Sequence, residues 1–121
     1  MPPRKGGVFM VYDKVINLPP DASRQMHNQR PSIIVSGDAT NAESAWPTVL
    51  VVPTSTQSAL ASEYCVELAK GIGNLPKKCW ARVVLVQPVA KADLRDFLGK
   101  IPAIELELLE QNLLAYMGSI D

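Results

Sequence analysis

Histidine and cysteine are scarce in this chain, which has one His and two Cys among its 121 residues. The cysteines, Cys65 and Cys79, are too few for a disulfide framework, so we expect a cytoplasmic protein. A zinc site is disfavoured because most of its ligands would have to be carboxylates. A ribonuclease mechanism that needs two histidines is excluded. No apolar run approaches the ~18 residues of a transmembrane helix, so no membrane contact is expected.

The sequence motifs that bind nucleotides or metals are also absent. No glycine-rich phosphate loop of the Walker or dinucleotide type occurs, and the stretch 71–73 precedes no predicted helix. No His-Glu-x-x-His or paired-cysteine motif is present, so we expect neither a metal nor another cofactor. A Ser-His-Asp triad would have to use His27, in a long polar segment, and we do not favour one.

The formal net charge of 0 hides an uneven distribution of charge along the chain. All 12 Lys and Arg lie in residues 1–100 together with 8 acidic residues, which gives 12 − 8 = +4, and residues 101–121 carry −4. A zero total argues against nucleic-acid binding. However, charges act over only about 8 Å in physiological salt, so the local charge of a surface matters more than the total. A chain with a basic body and an acidic tail can therefore still bind nucleic acid. The length favours a single domain over residues 1–121.

Short β-branched runs bounded by turn residues dominate the chain up to residue 101. Strands are predicted at 7–12, 32–36, 48–53, 63–68, 80–87 and 97–101, with one helical turn at 92–95. A helix is predicted at 102–118, with an apolar stripe made by Leu106, Leu109, Leu113 and Met117 and widened by Ile104, Leu108 and Tyr116. This order is typical of a mainly β (α+β) protein: a small antiparallel β-barrel or curled sheet over about 5–101, followed by a C-terminal α-helix.

Two predicted strand ends carry polar residues that suit phosphate chemistry. Arg30 closes a long polar segment directly before one strand, and the stretch 54–57, Thr-Ser-Thr-Gln, follows the next. If these strands are antiparallel neighbours, Arg30 lies beside Thr54, Ser55 and Thr56. An arginine fork with a hydroxyl next to it can bind a phosphodiester. The same residues also fit a solvated arginine and a plain hairpin turn, and geometry alone leaves both interpretations open.

Four blocks of sequence resemble the MazF/PemK toxins of bacterial toxin–antitoxin pairs, in the same order along nearly the whole chain. They are the opening strand Lys5–Phe9, the Arg-Pro block Arg30–Asn41, the strand Thr48–Gln57 with its Val-Pro-x-Ser-Thr-Gln ending, and Val83–Leu94 before a Leu-rich helix. The second and third blocks together are the more specific part of the match.

The resemblance implies properties that composition and spacing do not give. It implies an SH3-like β-barrel with a C-terminal helix, a homodimer, and an endoribonuclease that cuts single-stranded mRNA without a metal. Cleavage would use the 2′-hydroxyl of the RNA and leave a 2′,3′-cyclic phosphate and a 5′-hydroxyl. The protein partner would be a cognate antitoxin, whose extended tail covers the RNA groove.

The resemblance also assigns roles to individual residues. Arg30 and Ser55 fall on the family's two principal catalytic positions, with Arg30 stabilising charge on the scissile phosphate. The neighbouring Thr54, Thr56 and Gln57 would contribute donors to the substrate. Some members carry a late-strand arginine that falls on Arg82 in one alignment and on Val84 in another, and the acid that follows it in the family is missing here in both. The general base is therefore not identified by the resemblance.

The loop before Arg30 departs from the family pattern, because Gln25 stands where the family often has Glu. His27 is consequently a candidate acid–base group, and Asn28 and Gln29 are candidate substrate contacts, since family members contact bases with this loop. A solvated loop histidine fits equally well. Two other functions stay open: a CcdB-like binding toxin that poisons gyrase, and a degenerate member that binds RNA or antitoxin without cutting.

Overall fold

The computed structural model describes residues 2–18, 28–58 and 61–120. Within these ranges the chain forms seven strands and a long C-terminal helix, which confirms the predicted mainly β fold. The strands are β1 (Gly7–Tyr12), β2 (Gln29–Ile34), β3 (Thr48–Ser55), β4 (Val66–Leu68), β5 (Cys79–Ala81), β6 (Gln87–Ala90) and β7 (Leu94–Lys100). The helices are the single turn α1 (Asp38–Asn41) and α2 (Ala103–Tyr116).

One antiparallel sheet contains all seven strands, in the order β4-β5-β3-β2-β1-β7, with β6 also paired to β3. The third strand, β3, is central to this sheet. It pairs with β2 along one edge, and along the other edge it pairs with β6 near its start and β5 near its end. The end of β1, the start of β2 and the end of β3 therefore lie close to one another, and Arg30 and the stretch 54–57 lie there.

The single strand predicted over residues 80–87 is wrong, because the chain there forms two strands separated by a 3₁₀ turn at Val83–Leu85. Register explains the break. Ala81 pairs with Thr54, and Gln87 pairs with Val51. Thr54 and Val51 are 54 − 51 = 3 residues apart in β3, whereas their partners Ala81 and Gln87 are 87 − 81 = 6 residues apart. The 3₁₀ turn takes up the three extra residues between the two partners.

Other element boundaries differ from those predicted. β2 begins at residue 29 rather than 32 and β7 at residue 94 rather than 97, while β4 is confined to 66–68. The helical turn expected at 92–95 is a 3₁₀ turn at Lys91–Asp93, and α1 was not predicted. In the described part of the chain, no helix combines the length and apolarity that crossing a membrane requires.

Alternating side chains of the sheet divide the interior into two apolar clusters. The first, covered by α2, contains Val8, Ile33, Val52, Val66, Leu68, Leu75, Cys79, Ala81, Val83, Ile101 and Leu109. The second, on the other face, contains Phe9, Val11, Ile16, Ile34, Val49, Val51 and Val89. Because side chains alternate across a strand, each residue's position in β1–β3 decides which cluster it joins.

The outward side of α2 differs from the prediction. Leu109 is buried and Leu106 and Leu113 pack against the first cluster, as expected. Ile104 and Leu108, predicted to widen the buried stripe, are instead 73% and 45% exposed, and Met117 and Tyr116 are exposed as well. The helix is apolar on more than one side, so periodicity alone could not say which residues face the sheet.

An ion pair joins the acidic helix to the basic body: Lys5 Nζ lies 2.7 Å from Glu110 Oε1. The backbone N–H of Lys5 also donates to Asp38 Oδ1 at 2.7 Å. The two oppositely charged segments are therefore partly neutralised against each other at the start of β1, the end of the strand remote from the polar residues described next.

Candidate active site

Arg30 and Ser55 lie on the same face of the sheet. Ser32 pairs with Pro53 across β2 and β3, and continuing this register by two residues places Arg30 opposite Ser55. Ser55 in turn pairs with Trp80 of β5. Directly opposed residues on neighbouring strands project to the same side. Arg30, Ser55 and Trp80 thus form one row across three strands, which we call the arginine row.

A second row lies beside the arginine row on the same face. It consists of Ser32, Pro53 and Arg82. The backbone N–H of Arg82 donates to Pro53 O at 2.9 Å, which places Arg82 next to Pro53. Arg82 is half-buried, and among the described residues its Nε and the Ser32 Oγ have no hydrogen-bond partner. The structure therefore brings Arg82 to the same face as Arg30 and Ser55, in the adjacent row.

Arg30 is held by a buried carboxylate. Its Nε donates to Asp13 Oδ1 at 2.7 Å and its Nη2 donates to Asp13 Oδ2 at 3.2 Å. Its Nη1 donates to the backbone oxygen of Thr54 at 2.7 Å. Asp13 is 2% exposed and Arg30 is 6% exposed, so this pair lies in surroundings that screen charge weakly.

These bonds decide what Arg30 can still bind. A guanidinium has five N–H donors, and the three contacts to Asp13 and Thr54 leave 5 − 3 = 2 without a partner in the described part of the chain. The carboxylate takes the edge of the fork formed by Nε and Nη2, so the remaining donors are on Nη1 and Nη2. Two donors on adjacent nitrogens suit the oxygens of a phosphate.

Ser55 is buried beside Arg30, at 5% exposure. Its Oγ accepts a hydrogen bond from the backbone N–H of Gln57 at 3.1 Å, which fixes the hydroxyl at the end of β3. A serine hydroxyl can accept and donate at the same time, so its proton is still able to reach a substrate oxygen. Gln57 itself is half-buried just beyond the strand.

Thr54 and Thr56 line a cavity of about 160 Å³, whereas Ser55 between them does not. The Oγ1 of Thr54 donates to Pro31 O at 2.8 Å. The lining residues are Met10, Gln29, Arg30, Pro31, Thr54, Thr56, Pro76, Lys77 and Cys79. Burial raises the pKa of the Cys79 thiol, against the opposing effect of its hydrogen bond with Thr54, so the wall carries a thiol at neutral pH.

The loop residues are only partly described. Asn28 is exposed, and its backbone oxygen accepts a hydrogen bond from the N–H of Asp13 at 3.2 Å. Gln29 is half-buried and lines the cavity. His27 lies outside the described residues, so its predicted acid–base role stays a prediction. Within 2–18, 28–58 and 61–120, no group of three or more His, Cys, Asp or Glu is placed to hold a metal ion.

Residues 14–117 match the family of PemK-like and MazF-like toxins of type II toxin–antitoxin systems. The chain belongs to this family. The match covers the Arg-Pro block, the strand that ends at Ser55 and the C-terminal helix. It therefore includes every residue of the arginine row. The resemblance predicted from the four sequence blocks is confirmed.

Curated and solved relatives agree with this assignment. Endoribonuclease MazF9 of Mycobacterium tuberculosis is 27% identical over 113 residues, which cover 91% of this chain and 92% of that protein. The MazE–MazF crystal structure (Form II) from Deinococcus radiodurans has a TM-score of 0.72 at 15% identity, covering 98% of this chain and 97% of that chain. An endoribonuclease in complex with its cognate antitoxin, from a mycobacterial species, has a TM-score of 0.69 at 19% identity, covering 97% and 94%. These structures show that the MazF-like fold is shared.

Sequence reasoning missed two residues of this site, Asp13 and Lys77. Val11 pairs with Arg30, so Asp13, two residues later, reaches the same face. The available signal was an acid that interrupts an apolar strand at even spacing from Val11. Lys77 carried no comparable signal, because only tertiary structure brings the segment before β5 to the cavity. The resemblance pointed to an acid near Arg82, whereas this MazF-like chain has its buried acid next to Arg30.

Proposed function

We propose that this chain is an endoribonuclease toxin that cleaves single-stranded RNA through attack of the RNA's own 2′-hydroxyl. The observation that carries the proposal is the placement of Arg30 opposite Ser55 on one sheet face, in a chain that belongs to the PemK/MazF-like toxins. The endoribonuclease names of its relatives support the same reaction class. No step of the proposed reaction calls for a metal ion.

In the proposed step, the 2′-oxygen forms a bond to phosphorus while the bond from phosphorus to the 5′-oxygen breaks. The products are a 2′,3′-cyclic phosphate and a 5′-hydroxyl, and the proton lost by the 2′-hydroxyl is balanced by one gained at the 5′-oxygen. Arg30 would donate its two remaining N–H groups to the phosphate oxygens as negative charge grows there. Ser55 would orient the phosphate or the 2′-hydroxyl.

The neighbouring residues would hold the RNA rather than take part in the chemistry. Thr54, Thr56 and Gln29 line the cavity and offer donors and acceptors, and Lys77 adds a positive charge at its rim. Gln57 lies two residues beyond Ser55, Asn28 lies two residues before Arg30, and Arg82 lies in the adjacent row. His27 remains the candidate general base or acid, because its unperturbed pKa is suited to proton transfer near neutral pH.

The test is cleavage of a mixed-sequence RNA in EDTA, with mapping of the 5′-hydroxyl ends. Arg30→Ala should lower the cleavage rate about 10²–10³-fold, the usual effect of removing one preorganised donor, and Ser55→Ala should lower it as well. Lys100→Ala is the matched control, because Lys100 is exposed and pairs with Gly7 at the other end of β1. A wild-type chain that binds RNA and leaves no new ends is the degenerate member instead.

We also propose an antitoxin partner and a homodimer. The antitoxin complexes of the structural relatives support the first. The second is supported by the apolar side chains that α2 leaves exposed, Ile104 and Leu108. Light scattering should give a dimer mass, and Ile104→Asp should weaken the dimer if α2 contributes to the contact. Gln111→Asp, a polar and exposed position on the same helix, adds the same charge as a control.

A further inference from the structure

We infer that Asp13 is a positioning residue for RNA cleavage, acting through Arg30. The inference rests on the proposed function and deepens it, because it names a group that neither the sequence motifs nor the family match assigns. The match itself begins at residue 14, one residue after Asp13.

The geometry of the pair is the first argument. Asp13 accepts two hydrogen bonds from one edge of the Arg30 guanidinium, at 2.7 and 3.2 Å, and the carboxylate is 2% exposed. Thr54 O accepts a third bond at 2.7 Å. A planar fork held on two sides cannot rotate about its long axis. The direction of its two remaining donors is therefore set before the substrate arrives, which is the condition for strong transition-state stabilisation.

The position of Asp13 in the chain is the second argument. It follows β1 directly and begins a 3₁₀ turn at Asp13–Val15, and its backbone N–H donates to Asn28 O at 3.2 Å. The backbone that holds the carboxylate is therefore bonded to the residue two positions before Arg30. This arrangement ties the end of β1 and the start of β2 together at the place where the guanidinium is fixed.

The same contacts argue that Asp13 is not the general base. Both carboxylate oxygens of Asp13 accept hydrogen bonds from the guanidinium, so the carboxylate is engaged with Arg30 and does not stand ready for a substrate proton. In addition, Asp13 meets the Nε–Nη2 edge of Arg30, whereas the donors that remain for phosphate lie on Nη1 and Nη2. Its contribution is to orient Arg30 and offset its charge, and the substrate proton goes to another group.

Four proteins test the inference: wild type, Asp13→Asn, Arg30→Ala and the double variant. Asparagine keeps the size of the side chain but replaces one carboxylate oxygen with an NH₂ group. Two donors then face each other at one of the two contacts with Arg30, so that hydrogen bond is lost. Asp13→Asn should lower the single-turnover cleavage rate about 10²-fold or more, with little change in the Kd for an RNA that lacks the attacking 2′-hydroxyl. In the Arg30→Ala background, the same change should cause no further loss, because the residue through which Asp13 acts is gone.

Two further variants separate positioning from folding. Asp13→Glu keeps the charge but moves the carboxylate by one methylene group, so it should fold and cleave at a rate between those of wild type and Asp13→Asn. Val49→Ala removes buried volume at the start of β3, away from the arginine row, and should destabilise the fold while leaving the cleavage rate of the folded protein unchanged.

Each outcome has a distinct meaning. If wild type cleaves and Arg30→Ala does not, but both Asp13 variants cleave at the wild-type rate, the inference is refuted and the proposed function stands. An additional loss from Asp13→Asn in the Arg30→Ala background also refutes it. Loss of the acidic limb of the pH–rate profile in Asp13→Asn would make Asp13 the base and overturn the positioning role. A wild-type chain that cuts no RNA ends the proposed function and this inference together.

Discussion

Replacing Asp13 with leucine should destabilise the protein far more than an ordinary loss of an ion pair. The Asp13 Oδ1–Arg30 Nε distance is 2.7 Å, and the two side chains are 2% and 7% exposed. Removing the carboxylate leaves the guanidinium charged and buried, with Thr54 O as its remaining acceptor in the described structure. Breaking a buried pair in this way costs about 3–5 kcal/mol. That is a large part of the ~5–15 kcal/mol free energy of unfolding of a typical domain.

A second substitution should reverse most of this loss. Arg30→Met in the Asp13→Leu background removes the stranded charge, and an apolar pair of similar size is often as stable as a buried ion pair. The control is Glu67→Gln, because Lys78 Nζ lies 2.8 Å from Glu67 Oε1 while both side chains are 57% exposed. Water screens that pair, so the control should cost less than about 1 kcal/mol.

Urea unfolding followed by the fluorescence of Trp46 and Trp80 gives the free energy of unfolding of each variant. A cost of Asp13→Leu no greater than that of Glu67→Gln would refute this prediction, since burial would then have no effect on a pair of nearly the same length. The prediction also fails if Arg30→Met in the Asp13→Leu background recovers nothing. That result would mean that the lost stability came from contacts of the carboxylate other than the arginine.

Three further predictions follow from the described contacts. Iodoacetamide should modify half-buried Cys65 well before Cys79, whose thiol pKa is raised by burial, and peptide mass spectrometry gives the order of labelling. The pKa of Asp38 is lowered, chiefly by the hydrogen bond from the backbone N–H of Lys5. The ionised carboxylate therefore stabilises the fold at pH values above the ordinary carboxyl pKa, and this stabilisation is lost as the pH falls through the lowered pKa. Asp38→Asn should therefore reduce the free energy of unfolding at neutral pH, and urea titrations should show the difference shrinking in acid. Gly99→Ala should cost about 1–3 kcal/mol by the same measurement, because a Cβ there would lie 2.8 Å from a carbonyl oxygen of the facing turn.

The sequence predicts the sheet better than it predicts where each strand ends. The predicted bounds of β1, 7–12, are the observed ones, because glycine residues precede an apolar run that stops at Asp13. The break within 80–87 could not be seen in composition, since Val83–Leu85 is as β-branched and apolar as a strand. It exists because β3 pairs with two different strands in turn, a long-range constraint that no local propensity contains.

The candidate site was predictable in so far as strand alternation and neighbouring strand ends determine it. Arg30 and Ser55 were expected to lie close together, and the register places them opposite each other. Alternation along β3 also separates Ser55 from Thr54 and Thr56, but it does not say which of the two faces carries the cavity. The role of Asp13 depends on pairing between β1 and β2 across a long loop, so it required the tertiary structure.

The ion pair also changes how the charge of the chain relates to RNA binding. The basic excess of residues 1–100 weakens the objection to nucleic-acid binding that the zero net charge raises. With Asp13 bonded to it, Arg30 contributes directed donors while its net charge is locally offset. Under the proposed function, long-range attraction would come from basic residues that have no carboxylate partner among the described residues; Lys77 at the cavity and Arg82 in the second row are two of them. Under the proposed function, binding and catalysis would depend on different positive charges: Lys77 and Arg82, which would draw RNA to the sheet, and the buried Arg30, whose direction would stabilise the reacting phosphate.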